Sequence, residues 1–127
     1  MITGQCECGG VRFQMPEARQ EITICHCSQC RRTSGHLWAA TNAPFDSLTF
    51  LSDDTLTWYT SSDFAKRGFC NRCGSSLFYR MTGEAGIGIA AGCLDDTSGM
   101  RVGKHIFVKD KGDYYAIAEE EPQIQRF

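Results

Sequence analysis

Cys25-His26-Cys27-Ser28-Gln29-Cys30-Arg31-Arg32 sets three thiols within six residues and follows them with two arginines. Successive side chains of an extended chain leave opposite faces, so Cys25 and Cys27 emerge on one side and His26 on the other. A turn through Ser28 and Gln29 brings Cys30 round to meet them. Three converging thiolates suit zinc, at about 2.3 Å per sulfur. A site with only three protein ligands keeps a fourth tetrahedral position open, as catalytic rather than structural zinc sites do.

Two more thiol pairs flank this cluster. Gly4-Gln5-Cys6-Glu7-Cys8-Gly9-Gly10 is a second C-x-C, followed by glycines that let the chain turn away tightly. Phe69-Cys70-Asn71-Arg72-Cys73-Gly74 is a C-x-x-C-G knuckle whose backbone can wrap a metal. A thioredoxin-like reading of Cys70 and Cys73 wants a βαβ context, which the sequence lacks. Zinc takes four protein ligands when structural and three when catalytic. The thiols therefore divide into a closed set, Cys6, Cys8, Cys70 and Cys73, and an open set, Cys25, Cys27 and Cys30. The closed set would staple the N-terminal strand to the middle of the chain.

The competing partition completes the central cluster with His26, His36 or Cys93 and makes it structural too. His26 faces away from its flanking thiols and is expected as a surface or hydrogen-bonded side chain. Cys93, in Gly92-Cys93-Leu94, is expected as a small buried hydrophobe. Spacing leaves His36 undecided.

The chain has 127 residues, a length that fits one domain, residues 1–127, around one core. A formal charge of −2 gives no general electrostatic reason to bind nucleic acid or an anionic membrane. The N-terminus has neither a basic start nor an apolar run of signal-peptide length, and Ala85 to Leu94 is too short to span a bilayer, so a cytoplasmic protein is expected. In that reducing setting eight cysteines read as metal ligands or reactive thiols rather than disulfides.

Val11–Phe13, Glu21–Cys25, Leu37–Ala43, Leu48–Leu51, Leu56–Thr60, Ser76–Arg80, Ile87–Cys93 and His105–Val108 are short stretches, often β-branched or aromatic, separated by Pro, Gly, Asp or Ser. They predict a mainly β domain. A short helical turn is expected over Ser28–Ser34, with Ser28 as cap and Gly35 as stop. The glycines from Gly86 to Gly92 are spaced wrongly for a dinucleotide loop and fit close strand packing. Glu119-Glu120-Glu121 reads as a solvated tail segment. Arg31-Arg32 and Lys66-Arg67 are solvated charges in the ordinary reading and carboxylate-binding groups near the metal in the functional one.

The ordered motifs G-x-C-x-C-G, C-H-C-S-x-C-R-R-x-S-G, F-C-x-x-C-G-S-x-L, G-x-L-D-D and H-I-F-V run from Gly4 to Val108. In them the chain resembles the glutathione-dependent formaldehyde-activating enzyme family, which also contains centromere protein V. The resemblance implies a β-tent of small antiparallel sheets. It implies a structural zinc on Cys6, Cys8, Cys70 and Cys73, and a catalytic zinc on Cys25, Cys27 and Cys30. The activity it implies is that of a carbon–sulfur lyase, condensing formaldehyde with glutathione to S-(hydroxymethyl)glutathione. Cys93 departs from the pattern, standing where many relatives carry another small residue before Leu94-Asp95-Asp96.

The sequence thus leads us to expect a zinc enzyme with two Zn2+ per chain, acting on a small thiol such as glutathione and a small aldehyde. Arg31 and Arg32 are the expected substrate-binding residues. The reading from a different class is a non-catalytic, zinc-stapled interaction or nucleic-acid-binding module. A basic stretch would favour it, and the sequence has none.

Overall fold

In the computed structural model, which describes residues 1–127, the chain forms ten strands and one α-helix. They are β1 (Ile2–Gln5), β2 (Val11–Met15), β3 (Glu21–Cys25), α1 (Ser28–Ser34), β4 (Trp38–Pro44), β5 (Thr49–Asp53), β6 (Leu56–Thr60), β7 (Ala65–Cys70), β8 (Ser76–Met81), β9 (Gly86–Ala90) and β10 (Arg101–Ile106). The fold is mainly β and has two sheets, ordered β1-β2-β5 and β10-β3-β4-β9-β8-β7-β6. Every strand pairing is antiparallel except that of β10 with β3.

Alternation in sequence decides which faces meet. Val11, Phe13 and Met15 point inward from β2 and are fully buried, while Arg12 between them is exposed. They pack against Leu77 and Phe78 of β8 and Ile87 and Ile89 of β9 in the main core. Phe78 is the hub, with ring centroids of Phe13, Phe50 and Trp58 at 5.3, 5.8 and 6.1 Å. A smaller core of Cys30, Trp38, Ala40 and Ala90, with Cys25, Cys27, Tyr79 and Cys93 packed on it, lies under the central cysteines.

Two strands escape the sequence pattern. β1 is four residues with a glycine, too short to show alternation. It is held by a bridge from Gly4 to Leu94, by Asp95 N–H donating to Thr3 O, and by the Thr3 hydroxyl donating to the Asp95 carboxylate at 2.6 Å. β7 contains Lys66, Arg67 and Gly68, which read as surface, yet Arg67 is only 6% exposed. Expected strand ends also shift: β9 stops at Ala90, where a 3-10 turn over Ala91–Cys93 begins, and β10 starts at Arg101 rather than at His105.

Glu119 and Glu120 are exposed as expected, but the expectation needs correction at Glu121, where a structural strap begins. His105 N–H donates to Pro122 O, Ile124 N–H to His105 O, and Phe107 N–H to Arg126 O, so residues 122–126 run along β10 and cover a sheet edge. Glu121 itself accepts from His105 Nε2 at 2.8 Å. No helix is long and apolar enough to cross a membrane.

Gly4 is closely packed: an added Cβ would lie 2.5 Å from the Phe13 ring and 2.7 Å from the Cys93 carbonyl oxygen. Gly4→Ala should therefore cost about 1–3 kcal/mol by overpacking. Gly92→Ala, which meets nothing within 4 Å, should change stability by about 0.5 kcal/mol or less. Urea denaturation of the two variants measures the difference.

Candidate metal centres

Cys6 and Cys8 lie in the turn between β1 and β2, where Gly9 takes φ +79° and closes the loop with a bond from its N–H to Cys6 O. Cys70 ends β7 and Cys73 lies in the following turn, where Gly74 takes φ +82° and donates to Cys70 O. The four sulfurs all lie within 4.8 Å of one another, with Cys6–Cys8 at 3.7 Å and Cys8–Cys70 at 3.6 Å. A tetrahedron with 2.3 Å metal–sulfur bonds has edges of about 3.8 Å, so the donor set fits zinc.

The backbone is arranged for thiolates here. Val11 N–H points at Cys6 Sγ, and the N–H groups of Arg72 and Cys73 point at Cys70 Sγ, all at 3.3–3.4 Å. Burial pushes the Cys6 thiol up. Burial acts on Cys70 in the same sense, but the Thr55 hydroxyl and the two N–H groups outweigh it and bring the thiol down to about 7. The Ser75 hydroxyl at 3.2 Å brings Cys73 down to about 5. Arg72 Nε donates to Cys8 Sγ at 3.2 Å, offsetting part of the negative charge.

Cys25, Cys27 and Cys30 form the second group, again within 4.8 Å of one another. Here α1 matters. It spans Ser28–Ser34 as expected and ends at Gly35 in the left-handed conformation, but its cap is Cys27 rather than Ser28, with Cys27 Sγ accepting from Cys30 N–H at 3.3 Å. The sulfur that ends the extended segment therefore also starts the helix, and this folds Cys30 back onto its partners. Hydrogen bonds from Cys25 and Cys30, with Arg67 nearby, pull the Cys27 thiol far down. Cys25, which donates to it, is raised in turn. These three donors likewise fit a thiophilic ion, with one tetrahedral position left to another ligand.

The candidate fourth ligands lie elsewhere. His26 is fully buried on the opposite side, with Nδ1 2.5 Å from Tyr115 Oη and Nε2 2.8 Å from His105 Nδ1. His105 continues to Glu121, forming a chain of four polar groups whose two histidines are buried. Burial, with His105 next in effect, lowers the His26 pKa to about 4, so the ring is neutral at neutral pH. His36 is exposed and bonded to Tyr114 Oη. Cys93 is half-buried against both cores, and burial raises its thiol to about 11.

Of the two predicted substrate arginines, Arg31 is half-buried with Nε enclosed and unpaired, and Arg32 points to solvent. The cation nearest the thiols is Arg67. Its Nη2 donates to Cys30 Sγ at 3.4 Å, its Nε to Gln29 Oε1 at 3.0 Å, and its guanidinium lies over the Tyr79 ring. Sequence places Arg67 only within a generic basic pair, because β7 is not legible as a strand.

The chain matches the glutathione-dependent formaldehyde-activating enzyme family over residues 1–110. It belongs to that family. A relative from Schizosaccharomyces pombe, named an uncharacterized lyase, is 25% identical over 124 residues, covering 92% of this chain and 85% of the relative. A crystal structure of a Rhodobacter sphaeroides protein is similar with a TM-score of 0.61 and 26% identity, over 73% of this chain and 87% of that one.

The two cysteine clusters differ in what their loss should do. Cys70→Ser or Cys6→Ser should unfold or severely destabilise the protein, because a zinc held by four thiolates would contribute on the order of 10 kcal/mol. Cys27→Ser should leave it folded with one zinc fewer. Thermal unfolding together with metal analysis reads both. A Cys27→Ser protein that unfolds as readily as Cys70→Ser makes the central cluster structural.

Proposed function

We propose that this protein is a zinc-dependent carbon–sulfur lyase acting on the adduct of a small thiol, glutathione or a close analogue, with formaldehyde or another small aldehyde. The observation that carries the reading is the division of seven thiols into a set of four and a separate set of three with no fourth protein donor. The family and the lyase name of the yeast relative support a lyase-type enzyme. Zinc on Cys25, Cys27 and Cys30 would stabilise a substrate thiolate near neutral pH.

In the forward reaction the thiol sulfur attacks the aldehyde carbon, the carbonyl π pair moves to oxygen, and the proton lost by the thiol ends on that oxygen. Thiol and aldehyde thus combine into one hemithioacetal, with a C–S and an O–H bond formed, an S–H and a C=O π bond broken, and no atom lost. The chain's own part is to hold both reactants within reach and to balance charge. Arg67 sets a buried positive charge beside the Cys30 sulfur. Tyr79, under that guanidinium, keeps its phenolic proton because burial raises its pKa. Arg31 and Arg32, which follow Cys30 on α1, are the residues we assign to the carboxylates of a glutathione-like thiol.

Glutathione binding to zinc-replete protein should release about one proton per site near neutral pH. Its affinity should rise with pH until the free thiol itself ionises, because below that pH a proton must leave for each thiol bound. Arg31→Ala should weaken binding by about 1–3 kcal/mol. Calorimetry in buffers of different ionisation enthalpy measures all three. Absent thiol binding, with tight DNA binding in a filter assay, would instead support an interaction module.

A further inference from the structure

Three buried side-chain nitrogens in the molecule have no hydrogen-bond partner: Arg31 Nε, Trp38 Nε1 and Arg67 Nη1. All three residues border the open cluster. Arg31 follows Cys30, Trp38 pairs with Cys25 across β3 and β4, and Arg67 touches the Cys30 sulfur. Buried donors are almost always satisfied in folded proteins, and an orphan one is costly, more so when charged. At the four-cysteine cluster the corresponding arginine, Arg72, is exposed, so its remaining donors meet water. The buried donors without a partner thus all border the three-cysteine cluster.

Arg67 is the most constrained of the three. It is 6% exposed, its Nε is committed to Gln29 and its Nη2 to Cys30, and its plane is fixed over Tyr79 at 4.9 Å and Trp38 at 5.8 Å. A guanidinium is rigid and planar, so these contacts also fix Nη1, on the same carbon as the nitrogen that meets the sulfur. Nε and one N–H of Nη2 are engaged, so Nη1 is the nitrogen left with no partner at all, and a ligand oxygen is the acceptor it lacks.

We infer that Arg67 is a substrate-binding residue whose Nη1 donates to the one oxygen on the carbon joined to the ligand's sulfur. That oxygen is the carbonyl of the aldehyde and the hydroxyl of the hemithioacetal formed from it. The inference rests on the thiol–aldehyde reading of this site. An oxygen so placed is two bonds from the sulfur, so a sulfur seated among the three thiols carries it within reach of Arg67. The buried charge also opposes the negative charge that develops on that oxygen as the C–S bond forms. Arg67 thereby selects adducts with this oxygen over plain thioethers, while Arg31 and Arg32 serve the distant carboxylates.

The test compares two ligands that differ by that hydroxyl, S-(hydroxymethyl)glutathione, kept formed by a small excess of formaldehyde, and S-methylglutathione. Both are titrated calorimetrically into the zinc-replete protein. The wild-type chain should prefer the hydroxymethyl adduct by about 10- to 100-fold. Arg67→Gln should abolish the preference and leave S-methylglutathione affinity within about threefold, and Arg67→Lys should restore part of it. Circular dichroism and zinc content check that each variant is folded and loaded; if Arg67→Gln is not, Arg67→Lys carries the comparison through a reduced preference. A role in packing alone would weaken both ligands equally, and that result overturns the inference. So does equal binding of both ligands by the wild-type chain, although the proposed function then stands. Binding of neither ligand overturns the proposed function, and the inference with it.

Discussion

Two tight turns, one after β1 and one after β7, press four sulfurs together at the junction of the two sheets. Cys6 and Cys70 are buried there, and the sulfurs are close enough that as thiolates they would repel strongly. A cation held there would remove that repulsion and tie the two sheets together, a kind of support that the Phe78 aromatic cluster does not give. The N–H groups aimed at Cys6 and Cys70 orient the sulfurs, but they bring no full charge. The fold therefore has an apolar support spread over both sheets, and in two loops the sulfurs for an ionic one.

Strand β7 connects the two centres. It carries Cys70 into the four-sulfur cluster and, three residues earlier, Arg67 against Cys30. In a regular strand residues three apart face opposite ways, but the register with β8 shifts between Gly68 and Phe69, and both side chains are buried. Gly68 makes room for this, since an added Cβ would meet Phe78 and Trp58 at 3.1 Å. Whatever fixes the four-cysteine loop thus also fixes the buried charge at the open cluster.

The last residues complete the other side. The family match ends at residue 110, yet Tyr115 and Glu121 supply both ends of the polar chain through His26 and His105. His26 lies between Cys25 and Cys27, so holding its ring from behind holds the backbone that presents the two sulfurs. A buried histidine without those partners would cost several kcal/mol of unmet hydrogen bonding. The tail therefore helps to position the candidate metal-binding cysteines, although its glutamates read in the sequence as a solvated run.

The sequence by itself determined which cysteines group together, because C-x-C and C-x-x-C-G spacings bring the sulfurs of each cluster together locally and the ligand number of zinc joins the two pairs. It likewise determined β3, β6 and most of β2, β4 and β8, short runs rich in β-branched and aromatic residues between turn residues. It missed β1 and β7, where glycines and a buried arginine break that pattern. Tertiary structure alone decided that Arg67 rather than Arg32 faces the thiols, that Cys27 rather than Ser28 caps α1, and that His26 is buried in a hydrogen-bonded chain. The reason is common to all three. A polar side chain's place depends on the partner that meets its donors, and here those partners lie well away along the chain or depend on how α1 turns. Cys30 and Arg67, and His26 and Tyr115, are 37 and 89 residues apart.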